Sequence, residues 1–238
     1  MTIKNIYIII LVRVLKKGET MSKINNTKQQ IIKTSAKLFT EEGYSSVSIS
    51  KIGNILGISK GNITFHFHNK EEILAVLIKE LCDFQWLLME KEAKEGINSL
   101  LAYCLELTTL ITICEEVEAI RDFYVSAYIT PLTLDIIRKN DTKKTQAVFK
   151  EYCPNWTIEN WIATENIVSG IECASFMTRE IDTPLNIRIE KALNSVMLLY
   201  GVPEELRYQK IKKVLELDYR TLSRRILKEF KEYLEEKL

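Results

Sequence analysis

The chain has 238 residues, of which 46% are hydrophobic and 27% are charged. This composition is typical of a globular protein, and the length allows a small N-terminal domain followed by a larger one. The net charge is only +1, but residues 21–70 carry +5 and residues 1–20 carry +3, which leaves −7 for the remainder. A basic end on an acidic body favours an interaction with DNA through that end, although a chance excess of surface lysines is the alternative.

Cysteine and histidine usage excludes a metal site of the zinc type. The five cysteines are scattered without a Cys-x-x-Cys pair, at Cys82, Cys104, Cys114, Cys153 and Cys173. They are expected to be reduced and mostly buried, as in a cytoplasmic protein. The only two histidines, His66 and His68, cannot complete a metal site by themselves. We therefore predict no metal and no cofactor.

The first residues form an isoleucine-rich run at positions 6–12 that ends in basic residues. A bilayer-spanning helix needs about 20 apolar residues, so this run is too short to cross a membrane. We predict that residues 1–22 are a poorly ordered extension and that Met21 is a possible true start. An N-terminal membrane anchor is the alternative. Residues 23–30 are a basic lead-in that could lie over a phosphate or the minor groove.

Residues 27–67 contain three short helical patterns separated by glycines. Apolar residues recur at helical spacing from Ile31 to Phe39, and Gly43 is expected to end that helix. Ser48 is an expected N-cap of a second helix, which ends before Gly57. Ser59 is an expected N-cap of a third helix that buries Ile63 and Phe67. The third helix then presents small, polar and basic side chains outward.

Two short helices joined by a tight glycine turn form a helix-turn-helix, whose second helix fits the major groove of DNA. Asn and Lys side chains can reach base edges there, and a helix N-terminus favours phosphate. The predicted DNA contacts are Ser48, Ser59, Lys60, Gly61, Asn62, Thr64, Phe65, His66 and Lys70. Asn69 is expected to cap a fourth helix that starts at Lys70.

This stretch resembles the TetR family of bacterial regulators. The matching residues are Ala36, Leu38, Phe39, Gly43, Tyr44, Ile52, the run 57–61, His66, Phe67, Lys70 and Glu71. The resemblance implies a DNA-binding domain over residues 23–80, with its helix-turn-helix at about 48–67. It also implies a helical ligand-binding and dimerisation domain over residues 81–238, whose helices at about 157–180 and 204–238 pair with their copies in a homodimer. The alternative is that these helices complete a monomeric core.

The remaining chain is predicted to be helical throughout, because no strand-like alternation occurs. A long helix is expected from Lys70 to about Lys94, before Gly96, and a central apolar segment over residues 97–128. Helices are also expected at 132–139, at 140–149, from Thr157 to about Glu180, at 183–200 and over 204–238. The fold class is therefore all-α.

Aromatic residues in this second part are candidates for a ligand pocket. They are Tyr103, Phe123, Tyr124, Tyr128, Trp161 and Phe176. Aromatic residues at helical spacing more often form plain core, which is the alternative for each of them.

Together these features predict a cytoplasmic, sequence-specific transcriptional regulator, a repressor that a small-molecule inducer releases from its DNA operator. A DNA-binding architectural protein without a ligand is the first alternative. A helical enzyme acting on small hydrophobic molecules is a remote one, because no catalytic constellation is visible in the sequence. No membrane partner is expected.

Overall fold

A computed structural model describes residues 26–94, 98–179 and 183–238. Over these ranges the chain forms eleven α-helices and no strand, which confirms the all-α prediction. The predicted extension at 1–22 and the start of the basic lead-in lie outside the described residues. The same holds for the predicted helix ends at Gly96 and Glu180.

Three short helices form the N-terminal head, and a long fourth helix leads out of it. Helix α1 covers residues 26–42, α2 is Ile49–Leu56 and α3 is Lys60–His66. Helix α4, Lys70–Lys94, begins where Asn69 accepts a hydrogen bond from the Glu72 N–H at 2.9 Å. One face of α4 is buried, with Ile73, Leu77 and Phe84 among its residues.

Seven helices form the rest of the chain. They are α5 Ser99–Glu116, α6 Glu118–Ile129, α7 Pro131–Phe149, α8 Ile158–Met177, α9 Leu185–Leu199, α10 Glu204–Leu215 and α11 Tyr219–Lys237. Helix α5 is buried on nearly all sides, as its uniformly apolar sequence predicts. It contacts α11, α10, α6, α8 and α9, and so lies at the centre of the bundle.

Two helix boundaries differ from the sequence-based prediction. The apolar segment at 97–128 is interrupted at Val117, whose extended backbone separates α5 from α6. The two helices predicted at 132–139 and 140–149 are instead the single helix α7. The polar residues at the expected junction have partners within the bundle, because the Trp86 indole donates to the Asn140 side chain at 2.9 Å and Asp141 pairs with Lys144 at 3.0 Å.

Helix α11 uses its apolar face within its own chain. Phe230 and Leu234 are buried, and Phe230 packs against Phe84 of α4 with ring centroids 5.3 Å apart. The outward side of α11 is rich in charged residues such as Arg224 and Arg225. The predicted pairing of the helices over 204–238 with their copies stays a prediction, and in the single chain the apolar face of α11 is already covered.

The structure gives the burial of the cysteines and the lengths of the helices. Cys82, Cys104, Cys114 and Cys153 are buried, Cys173 is half-buried, and all five are free thiols. This confirms the prediction of reduced, mostly buried cysteines. None of the helices in the described ranges combines the length and the apolar character that a bilayer crossing requires.

Candidate nucleic-acid interface

Local hydrogen bonds fix both helices of the predicted helix-turn-helix. The Ser48 hydroxyl accepts from the Lys51 N–H at 3.1 Å, and the Ser59 hydroxyl accepts from the Asn62 N–H at 3.2 Å. Gly57 has φ = 66°, a left-handed conformation that other residues rarely adopt, and ends α2. The two N-caps and the glycine turn are therefore confirmed.

Close packing behind α3 holds this helix against the head. Ile63 is fully buried and Phe67 is buried, as predicted. A side chain at Gly53 would place its Cβ only 2.7 Å from the Ile58 carbonyl oxygen, so glycine permits the close approach of α2 to the turn. The outer face of α3 is consequently held in a fixed orientation.

The outer face of α3 carries the side chains that were predicted to contact DNA. Lys60, Gly61 and Asn62 are exposed, and Phe65 is 71% exposed although it is a large apolar residue. Thr64 and His66 are half-buried at the edge of this face. We refer to residues Lys60, Gly61, Asn62, Thr64, Phe65 and His66 as the α3 face.

Two effects lower the pKa of His66 at the edge of the α3 face. Its partial burial lowers the pKa of the imidazole, and the nearby charge of Lys28 lowers the pKa further. Lys28 itself lies over the Phe67 ring, with its Nζ 5.4 Å from the ring centroid. A basic side chain of α1 therefore stands close to α3.

Lys70 is placed differently from the prediction. Its Nζ donates hydrogen bonds to the carbonyl oxygens of Tyr44 at 2.8 Å and Val47 at 2.9 Å. It also lies 3.9 Å from the centroid of the Tyr44 ring, and burial lowers the pKa of this lysine. The ammonium group thus holds the α1–α2 turn together, so the structure corrects Lys70 from an outward contact to an internal tie.

Most of the predicted ligand residues do not line the main apolar cavity. This cavity of about 40 Å³, called the main cavity below, lies between α4, α5, α6 and α11, and of the six candidates only Tyr124 lines it. Tyr103 and Tyr128 line a smaller cavity of about 10 Å³ beside it. Phe123, Trp161 and Phe176 line neither of these two cavities and are buried. Their burial agrees with the alternative that they are core residues.

The main cavity is lined by residues that the sequence analysis did not single out. The apolar ones are Leu81, Phe84, Leu88, Met89, Leu110, Ile113, Ile120, Ile226, Leu227 and Phe230, and the polar ones are Gln85, Glu106 and Thr109. Periodicity places most of them on buried helix faces but does not reveal that space remains between those faces.

A buried charged cluster was also missed. Asp141 and Lys144 of α7 meet Glu165 and Glu172 of α8, and all four are buried. Glu165 and Glu172 share the buried face of α8 with Trp161 and Val168, and two carboxylates on an otherwise apolar face are the signal that could have identified this cluster. Burial and the Asp141 carboxylate raise the pKa of Glu165 to about 8.

Comparison with known proteins supports the N-terminal assignment. Residues 31–77 match the model of the family described as bacterial regulatory proteins, tetR family. An uncharacterized HTH-type transcriptional regulator, YerO of Bacillus subtilis, is 43% identical over 51 residues, which is 21% of this chain and only 18% of that protein. The fatty acid metabolism regulator protein of B. subtilis is 25% identical over 176 residues, 74% of this chain and 79% of that protein.

The fold of a larger part of the chain is also found among solved structures. The structure of RolR with its ligand resorcinol covers 80% of this chain and 95% of RolR, with 17% identity and a TM-score of 0.61. The ligand-free RolR structure gives a TM-score of 0.54 with 15% identity. The helix-turn-helix at Ile49–His66 lies within residues 31–77, so this N-terminal part of the chain is the part that matches the tetR family of bacterial regulatory proteins.

Proposed function

We propose that this protein is a transcriptional repressor that binds an operator as a symmetric homodimer and is released by a small apolar molecule. The observation that carries the proposal is the α3 face. Its polar and basic side chains project from a helix that the Ser59 cap and the buried Ile63 hold in place. A helix of this size and composition fits the major groove.

The α3 face offers different contacts along its length. Lys60 and Asn62 can hydrogen-bond to base edges, and the exposed Phe65 ring can pack against a thymine methyl group. Ser48 and Ser59 lie at helix starts, where N–H groups favour phosphate oxygens. These roles support sequence-specific binding over a purely electrostatic attraction.

The experiment begins with selection of a duplex from a random library by the full-length protein. Lys60→Ala and Asn62→Ala should then each weaken binding to the selected duplex by about five- to 150-fold, as expected when a base contact is lost. Lys139→Ala is the control, because Lys139 is an exposed lysine on α7. Circular dichroism should show all three variants folded. Failure to enrich any sequence, or equal affinity of all variants, would contradict the proposal.

An exposed apolar surface on α8 and α9 supports the homodimer. The exposed fractions are 48% for Ile162, 57% for Ile167, 56% for Met177 and 56% for Leu198. A Cβ built at Gly170 meets no atom within 4 Å, so this side of α8 is open in the single chain. Large apolar residues clustered on one surface indicate a protein interface, and two symmetric heads can read two half-sites. We therefore place the dimer interface on α8 and α9.

The main cavity supports an inducer of mostly apolar character. Its volume of about 40 Å³ is far below the range of about 300–1,000 Å³ that is usual for small-molecule sites, so a bound ligand would have to widen it. Glu106 stands in its wall, and its Oε2 is buried without a hydrogen-bond partner. A ligand with an apolar body and one hydrogen-bond donor directed at Glu106 would satisfy both features.

Helix α6 provides a path from this cavity to the head. Ile120 and Tyr124 line the cavity, while Asp122 between them bonds to Ser45 in the α1–α2 turn. A ligand that binds more tightly when α6 is displaced would increase the population of the state in which the head has moved. The size of this effect is set by the difference between the ligand's affinities for the two states.

Nile red, a neutral apolar dye, tests whether the cavity accepts a ligand. Leu110→Trp fills space in the cavity wall and should lower dye affinity about tenfold or more, since it replaces the volume that the dye would occupy. Leu132→Trp is the matched control, because Leu132 is 45% exposed on α7 and lines neither cavity. Absence of dye binding to the unmodified protein would favour the architectural alternative, and turnover of a bound molecule would favour the enzyme.

A further inference from the structure

Three acidic side chains converge between α7 and α8. Asp141, Glu165 and Glu172 are only 7%, 1% and 8% exposed. One carboxylate oxygen from each lies within 4.8 Å of the others. Buried carboxylates are costly unless they are paired, bind a cation or take up a proton, so a cation is one of three ways to compensate this cluster.

The protein supplies only part of that compensation. Lys144 donates to Asp141 at 3.0 Å and to Glu106 at 2.7 Å, so its single positive charge is shared by two carboxylates. Tyr128 donates to Glu172 at 2.8 Å, and Tyr200 donates to Glu165 Oε2 at 3.0 Å. Four carboxylates in this cluster thus share one ammonium group, the neutral hydroxyls and the Asn140 amide, which donates to Asp141 at 3.1 Å.

One carboxylate oxygen of this cluster has no hydrogen-bond partner. Glu165 Oε1 is buried and accepts no hydrogen bond. This observation is separate from the clustering of the three side chains. Tyr200 donates to Oε2 of the same carboxylate, so only Oε1 is left without a partner. A buried acceptor of this kind is costly to leave empty.

The spacing of the three carboxylates agrees with the size of a small ion. Oxygen ligands stand about 2.0–2.6 Å from Mg²⁺ or Ca²⁺, so ligand atoms on opposite sides of such an ion are separated by about 4–5 Å. The observed separation of up to 4.8 Å falls within this limit. The oxygens are all hard donors, which Mg²⁺, Ca²⁺ and Mn²⁺ prefer over the softer transition metals.

We propose that Asp141, Glu165 and Glu172 bind one hard divalent cation between α7 and α8. The ion would join the carboxylate of α7 to the two carboxylates of α8. It would thereby stabilise the buried side of the helix whose opposite side carries the exposed Ile162 and Ile167. The small cavity beside Asp141 and Glu172 is also lined by Gln85, Glu106 and Leu110, which line the main cavity too, so the ion would lie close to the ligand site.

The test uses full-length protein stripped with EDTA and then titrated with Mn²⁺ alone. Electron paramagnetic resonance counts bound Mn²⁺, and one tightly bound ion per chain is expected, displaced by Mg²⁺ or Ca²⁺. Glu165→Gln and Glu172→Gln each remove one charged ligand with little change in shape. Each substitution should weaken Mn²⁺ binding by at least about tenfold. Loss of a group that only hydrogen-bonds to a metal ligand already weakens metal binding by about 10- to 100-fold.

Glu159→Gln is the matched control, because Glu159 lies on the exposed first turn of the same helix and should leave Mn²⁺ affinity unchanged. Terbium luminescence provides a measurement on the unmodified protein in case a variant fails to fold. The hydroxyls of Tyr103 and Tyr128 donate to Glu172, so both rings are close to the proposed site and excitation of tyrosine should sensitise the emission of bound Tb³⁺. Absence of bound Mn²⁺, or equal affinity in the three variants, would overturn the proposal, as would bound Tb³⁺ without sensitised emission.

Discussion

The Asp122 carboxylate on α6 accepts two hydrogen bonds from Ser45 in the head, one from its backbone N–H and one from its hydroxyl, each at 2.6 Å. The adjoining Gly43 has φ = 89°, and a Cβ there would lie 2.8 Å from Asp122 Oδ2. The glycine that ends α1 is therefore required both by its backbone conformation and by the approach of Asp122. This contact joins the helix that lines the main cavity to the helix-turn-helix domain.

Asp122→Ala should loosen the head where Ser45 is bound. Loss of a charged acceptor for two hydrogen bonds should cost about 1–2 kcal/mol, which corresponds to about five- to thirtyfold faster local opening. Hydrogen exchange of the backbone amides of residues 43–47 measures this opening. Asp135→Ala, which removes an exposed carboxylate of α7, should leave these amides unchanged. Unchanged exchange in Asp122→Ala would show that the contact does not hold the head.

Lys70→Met should destabilise the protein by about 1–3 kcal/mol, because the carbonyl oxygens of Tyr44 and Val47 lose a charged donor. Lys60→Ala should change the free energy of unfolding by less than about 0.5 kcal/mol, since Lys60 is exposed. Chemical denaturation compares the two variants. A Lys70→Met variant of full stability that no longer binds the selected duplex would return Lys70 to the DNA-contact role predicted from the sequence.

Affinity for the selected duplex should rise as the pH falls from about 7.5 to 5.5, around the ordinary imidazole pKa. The pKa of His66 is lowered in the free protein, so protonation as the pH falls costs folding stability there. In the complex, a nearby DNA phosphate would stabilise the protonated imidazole. Protonation of His66 would therefore strengthen DNA binding even though it destabilises the free protein.

His66→Gln should flatten this pH dependence, which fluorescence anisotropy can measure. His68→Gln is the control, since His68 lies outside the α3 face and its Nδ1 is 3.0 Å from Glu72. An equal pH dependence in both variants would exclude His66 as a phosphate contact.

Ile167→Glu should convert the proposed dimer to monomer, because a charge would be placed within the apolar surface of α8. The isolated chain should keep its stability, since Ile167 is 57% exposed there. Analytical ultracentrifugation gives the oligomeric state. Tyr208→Glu on α10 is the comparison, at a residue 65% exposed. If Tyr208→Glu dissociates the dimer and Ile167→Glu does not, then helices over 204–238 form the interface, as first predicted.

The sequence by itself determined the helix-turn-helix almost completely. Ser48, Gly57 and Ser59 were identified as caps and turn, and each has that role in the structure. Such signals are readable because a cap or a left-handed glycine acts on backbone groups within about four residues, so the relevant partners are adjacent in the sequence. Helical periodicity likewise identified Ile63 and Phe67 as core residues and left the α3 face outward.

Only the tertiary structure decided the roles of Lys70, Asp141 and Glu165. Whether Lys70 points outward or into the head depends on carbonyl oxygens more than twenty residues away. Asp141 suggested a helix break until its partner Lys144 and the packing of α7 against α8 were known. The space between α4, α5, α6 and α11 likewise exists only once these helices are packed. A charge or a cavity derives its role from groups distant in sequence, and periodicity within one helix contains no information about them.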